Sequence, residues 1–206
     1  MIIGISGRIG SGKNTIGDII QIICLTNEGP TFEQKSFAGK LKQIASLLTG
    51  IPVEKFEDQE FKKTLLGPEW GTVSTNPLNA IPVFGDVRFL HLMSAREFLQ
   101  KLGTEAMRDG LHTDVWVNAL FSDVSSEDNI IITDMRFENE MEAVKERGGI
   151  TIRVTRPVEK SKTTARLHPS ETSLDSAEFD YEIINDGEIV DLIEKVKEIL
   201  IKEKLI

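Results

Sequence analysis

Short apolar runs alternate with amphipathic stretches along most of the chain. Ile2-Ile3-Gly4-Ile5-Ser6 is strand-length and β-branched, as suits a strand buried on both faces of a sheet. From about Gly12 to Leu25, Ile16, Ile19, Ile20 and Ile23 recur at helical spacing, and Asn27-Glu28-Gly29-Pro30 breaks the pattern. Gln34 to Phe37 reads as a short strand, and Ala38 to Leu48 as a helix stopped by Gly50 and Pro52. Ser94 to about Met107 is predicted helical, with Phe98, Leu99 and Leu102 inward, and Asp114 to Val124 helical again. Asn129 to Asp134 is the clearest strand, three isoleucines and a threonine closed by an acid. A helix over about Asn139 to Arg147 stops at Gly148-Gly149, and Ile150 to Thr155 is the next strand. Tyr181 to Ile184 is the last strand. The final helix carries Ile189, Leu192, Ile193, Val196, Ile199 and Leu200 on one stripe. Two stretches show neither period. Val53 to Arg88 reads as a mobile surface excursion, too short for a core of its own, and Lys160 to Asp175 as a polar loop.

Strands alternating with helices predict an α/β fold of three layers: about five parallel strands with helices on both faces. One domain is expected over 1–206. Its core is about 1–37 and 128–206, with a helical excursion over about 38–127 and a lid over about 156–176. Ligands in such sheets sit at the carboxyl ends of the strands. Chemistry-bearing residues fall there: the turn after Ser6, Asp134, and Arg156.

That turn, Gly7-Arg8-Ile9-Gly10-Ser11-Gly12-Lys13-Asn14-Thr15, follows the P-loop frame G-x-x-x-x-G-K between a strand and a helix. Gly7, Gly10, Ser11 and Gly12 are small enough for backbone N–H groups to wrap phosphate oxygens, and the helix N-terminus favours the same anion. Lys13 reaches the β- and γ-phosphates of a nucleotide such as ATP. Asn14 stands where Ser or Thr usually serves Mg²⁺; its amide oxygen can coordinate the ion or hold one of its waters. Thr15 points about 100° away. Asp134 can share that Mg²⁺ or orient an acceptor; the plainer alternative is a strand-end acid capping the next helix. Arg96, Arg108, Arg136, Arg156 and Arg166 are the cations that could gather phosphate charge, with Arg156 and Arg166 flanking the lid. His168 reads as a local hydrogen-bonding residue.

Charge and composition then narrow the class. Twenty-four basic against thirty-three acidic side chains leave a net charge of −9, which disfavours stable nucleic-acid binding. The single cysteine, Cys24, can form no internal disulfide and fits a reducing compartment. With no leader and no apolar run of membrane-spanning length, a cytoplasmic enzyme is expected.

Longer segments carry a resemblance. Ser6-Gly7 through Thr15, Phe37-Ala38-Gly39-Lys40-Leu41-Lys42, Arg96 to Glu105 followed by Trp116-Val117, Asp134-x-Arg136-x-x-x-Glu140, Val154-Thr155-Arg156-Pro157, His168-Pro169-Ser170-Glu171 and Ile184-Asn185-Asp186-Gly187 are similar to phage-type deoxynucleoside monophosphate kinases, a branch of the P-loop nucleotide kinases. An acid or amide after the P-loop lysine is common in that family. The resemblance implies transfer from ATP, with Mg²⁺, to a deoxynucleoside monophosphate. It makes Lys42, Arg96, Gln100, Thr104, Arg136 and Glu140 the acceptor-side residues, and a homodimer is compatible with it. Kinases acting on phosphomevalonate or dephospho-coenzyme A share the frame, and a P-loop ATPase switch is the alternative from another class.

Overall fold

The computed structural model describes residues 1–74, 81–82, 89–157 and 172–206. In chain order the elements are β1 (Ile2–Gly7), α1 (Lys13–Thr26), β2 (Glu33–Lys35), α2 (Phe37–Thr49), β3 (Thr72–Ser74), β4 (Ile81–Pro82), β5 (Phe89–His91) and α3 (Ala95–Gln100). They continue as α4 (Val115–Phe121), β6 (Ile130–Ile132), α5 (Glu138–Glu146), β7 (Ile150–Thr155), β8 (Tyr181–Ile184) and α6 (Ile189–Lys202). The chain divides into two compact units, Met1–Phe37 with Val117–Ile206, and Ala38–Trp116.

The first unit holds a five-stranded sheet in the order β2-β6-β1-β7-β8, every pairing parallel. Alternation along β1 sorts its side chains between the two faces. Ile3 and Ile5 join Ile16, Ile19, Ile20 and Ile23 of α1 and Leu192, Val196, Ile199 and Leu200 of α6 in one buried cluster. On the other face, Gly4 leaves room for Met135 and for Val144 of α5. Full burial of one such aliphatic side chain contributes about 1.5–3 kcal/mol, so this double-sided core fixes the strand order. The α/β fold with helices on both faces is thus as expected. Of the α6 stripe, however, Ile189 and Ile193 are exposed: the helix buries a narrower face than its apolar pattern suggests.

The second unit departs further from expectation. Three single 3₁₀ turns, Val53–Phe56, Phe61–Lys63 and Pro68–Trp70, are followed by a small antiparallel sheet in the order β3-β5-β4. Phe56 is fully buried, and with Leu66, Ala45, Met93, Ala95 and Phe98 it forms a second core, with the Trp70 ring edge-on to Phe98. Phe56, Leu66 and Trp70 of the stretch read as a surface excursion thus pack into a core shared with residues on either side of it. α3 starts where Ser94 Oγ accepts the Glu97 amide at 3.2 Å. Beyond Gln100 the winding widens into π-helical turns over Lys101–Asp109 instead of continuing as a regular helix. The buried Trp116 indole donates to the Gly103 carbonyl within this stretch at 2.9 Å. Among the described residues, no helix is long and apolar enough to cross a membrane.

Candidate active site

The turn after β1 lies at the carboxyl edge of the central strand, beside β6 on one side and β7 on the other. Its glycines are dictated by close approach. A Cβ on Gly7 would stand 2.4 Å from the Val154 carbonyl oxygen and 2.6 Å from Ser11 Oγ. Gly12 has φ 104°, a left-handed conformation natural to glycine, and a Cβ there would meet Asn185 Nδ2 at 2.6 Å. Ser11 is buried, and its hydroxyl has no hydrogen-bond partner. Lys13 folds back over the loop, donating to the carbonyls of Gly7 at 2.7 Å and Arg8 at 2.9 Å. Gly10, Asn14 and Thr15 are not buried.

At the end of β6, Asp134 Oδ1 accepts the Phe37 amide at 2.8 Å, which caps the first turn of α2. The plainer reading has Asp134 capping the next helix, α5; the helix whose first amide it accepts is α2 instead. Glu140, expected among the acceptor contacts, is buried. Its Oε2 accepts the amides of Arg136 at 2.7 Å and Phe137 at 3.1 Å. Its observed work is to fix the backbone beneath Arg136.

A cleft is lined by Ser6, Gly7, Arg8, Met135, Arg136, Arg153 and Leu174. Three guanidinium groups border it. Arg153 donates to Asp175 Oδ1 at 2.7 Å and to the Leu174 carbonyl at 3.3 Å, and it lies over the Phe179 ring. Asp175 Oδ2 accepts from Arg8 at 3.2 Å, so one carboxylate joins the glycine loop to β7. Sequence reasoning selected Arg156, which is exposed past the end of β7, and overlooked Arg153. A signal existed: Arg153 is the one charged residue in a strand otherwise of Ile, Val and Thr. Arg166 and His168 lie outside the described residues, as does most of the expected lid.

The remaining acceptor-side candidates belong to the second unit. Lys42 pairs with Glu57 at 2.6 Å, and Arg96 donates to Gln59 Oε1 at 3.1 Å. Gln100 is exposed at the end of α3, and Thr104 is half-buried in the wide-turned stretch.

Among the described residues there is no cluster of three or more His, Cys, Asp or Glu that could hold a metal by itself. Asn14 and Asp134 are hard oxygen donors at the phosphate loop's end of the sheet. That is a fitting set for Mg²⁺, which takes few protein ligands and fills its octahedron from phosphates and water.

Comparison with known proteins adds relatives. The family model of deoxynucleotide monophosphate kinases matches residues 85–196, more than half of the chain. The chain is 24% identical to the deoxynucleoside-5'-monophosphate kinase of Escherichia phage T5, over 90% of this chain and 89% of that protein. It is 33% identical to the deoxynucleotide monophosphate kinase of Enterobacteria phage T4, over 52% of this chain and 45% of that protein.

Proposed function

The chain belongs to the deoxynucleotide monophosphate kinase family, and from that premise we propose that it transfers the terminal phosphate of ATP to a deoxynucleoside monophosphate. The observation that carries the reading is the glycine loop at the edge of β1, with Lys13 folded over it and three arginines bordering the adjoining cleft. Backbone amides of Gly7 to Lys13 bind the donor phosphates, and the Lys13 ammonium swings from its own loop carbonyls to the β- and γ-oxygens. Asn14 and Asp134 are the residues that would hold Mg²⁺ or its waters, and the ion would supply neutralisation of phosphate charge. Arg136, on a backbone braced by Glu140, positions the acceptor phosphate. Arg153 and Arg8 add positive charge on the same side, and Arg156 or Arg166 shields the transferring group. Lys42, Arg96, Gln100 and Thr104 are the acceptor contacts of the second unit.

No side chain has to remove a proton, because the acceptor phosphate is already anionic at neutral pH. The protein's contribution is then alignment and charge stabilisation. The net charge of −9 and the free thiol of Cys24, which burial pushes above its ordinary pKa, suit a cytoplasmic enzyme working on free nucleotides. The test is coupled ADP release with ATP and Mg²⁺ against separate dGMP, dTMP, dCMP, dAMP and ribonucleotide acceptors. Release that requires a deoxynucleotide is expected. Release that proceeds equally without any acceptor would identify an ATPase instead.

A further inference from the structure

Asn185 stands at the end of β8, 174 positions from the residue it holds: its Nδ2 donates to the Ser11 carbonyl at 2.9 Å. In a trans peptide the carbonyl and the following N–H point in opposite directions. Fixing the Ser11 carbonyl toward β8 therefore turns the Gly12 amide N–H away from β8. The same Nδ2 occupies the space that any side chain at position 12 would need, so the loop and Asn185 are fitted to one another.

Asn185 is itself strapped in place. Its own amide donates to the Thr155 carbonyl at 2.7 Å. On either side of it, Lys195 of α6 donates to the Ile184 carbonyl at 2.6 Å and to Asp186 Oδ1 at 2.9 Å. A half-buried side chain on a backbone tied at Asn185 and at both its neighbours, with its amide spent on one loop carbonyl, is placed to set loop geometry.

We propose that Asn185 is a positioning residue of the phosphate loop, directing the Gly12 N–H at the donor phosphates through its hold on the Ser11 carbonyl. This rests on the reading that the loop binds the phosphates of ATP. Being on the donor side, Asn185 acts on the KM for ATP and not on that for the acceptor.

The experiment pairs calorimetric binding of tripolyphosphate with steady-state kinetics for Asn185→Ala and the near-isosteric Asn185→Asp, with thermal unfolding followed for each. Loss of the hydrogen bond in Asn185→Ala weakens tripolyphosphate binding roughly 10-fold and raises the KM for ATP in parallel, with acceptor KM within about 2-fold of wild type. Asn185→Asp is worse at neutral pH, because a carboxylate cannot donate to a carbonyl and repels phosphate. Protonation restores a donor. Ordinary Asp titrates near about 4, and the facing carbonyl and bound anion push that upward, so affinity relative to wild type recovers by about pH 5. Wild-type affinity in both variants would overturn the proposal, as would an Asn185→Asp defect that ignores pH. Acceptor-independent ADP release by the wild type would reject the kinase assignment, and tripolyphosphate binding by the variants would then decide the role of Asn185 by itself. A wild type that does not bind tripolyphosphate would reject both.

Discussion

The two compact units are built on different rules. The sheet unit repeats one device: apolar strands flanked by helices, with the glycine loop and the arginine-bordered cleft at the carboxyl edge. The unit Ala38–Trp116 has single 3₁₀ turns, a three-stranded antiparallel sheet and a π-helical stretch around an aromatic core. Under the proposed function, regular packing would suit the donor polyphosphate, the same in every reaction, and irregular packing would suit a site whose shape decides which acceptor fits. The contrast teaches where substitutions should affect every reaction and where they should affect only the choice of acceptor.

The largest effect is expected in the sheet unit. Lys13→Ala should reduce kcat by about 10³-fold or more with every acceptor, because charge stabilisation at the transferred phosphate is lost. Its unfolding midpoint should move by no more than a few degrees, as Lys13 lies on the loop and not in the core. A fall restricted to one acceptor would erase the distinction between the units.

Packing gives the next contrast. In Gly7→Ala the new Cβ would press on the Val154 carbonyl, backbone of the central sheet that cannot swing aside. Urea unfolding should show a loss of about 2–3 kcal/mol. In Gly103→Ala the Cβ would stand 2.8 Å from Leu41 Cδ2, the end of a flexible side chain. That loss should stay under about 1 kcal/mol, with helix propensity partly offsetting it. Equal losses would mean that the second unit is as tightly determined as the first.

Legibility in the sequence follows the same line. β1, β6 and β7 could be placed because β-branched runs mark buried parallel strands, and α1 because four isoleucines share one face. The glycine loop was readable because its glycines recur at a fixed local spacing between a strand and a helix. Arg153, Asp175 and Asn185 were not assigned roles, because their contacts join residues more than twenty positions apart and no local period encodes them. Glu140 was visible as part of a motif, but its burial, which turns it from acceptor contact to backbone brace, depends on the packing of α5. Residues 53–70 defeated periodicity because Phe56 and Leu66 are isolated anchors between polar turns, a pattern that resembles a loop until they pack with Met93 and Phe98.

A smaller effect should separate the units in kinetics. Arg96→Ala removes a cation whose observed partner is the neutral Gln59. The expected change is about a 10-fold rise in acceptor KM, with the KM for ATP unmoved, since a lost charge-assisted contact to phosphate costs on the order of 1.5–3 kcal/mol before solvent compensates. A parallel rise in both constants would place Arg96 outside acceptor recognition.

The smallest effect lies at the strap behind Asn185. The hydrogen bond from Lys195, followed by the Asp186 amide, holds the Asp186 carboxyl below its ordinary pKa. A carboxylate with a depressed folded pKa adds stability that is present above the unfolded value, near about 4, and is lost as pH falls through the folded value. Both groups are largely exposed, so solvent screens the pair and the global change should be slight. Local order is the more sensitive readout. Carboxyl-carbon NMR should show Asp186 titrating below the ordinary aspartate value in the wild type and closer to that value in Lys195→Met, where its own backbone amide remains as the lowering cause. If Asn185 takes its position from this strap, Lys195→Met should also weaken tripolyphosphate binding, by less than Asn185→Ala does. An unchanged affinity would mean that the Asn185 amide's bond to the Thr155 carbonyl suffices to hold it.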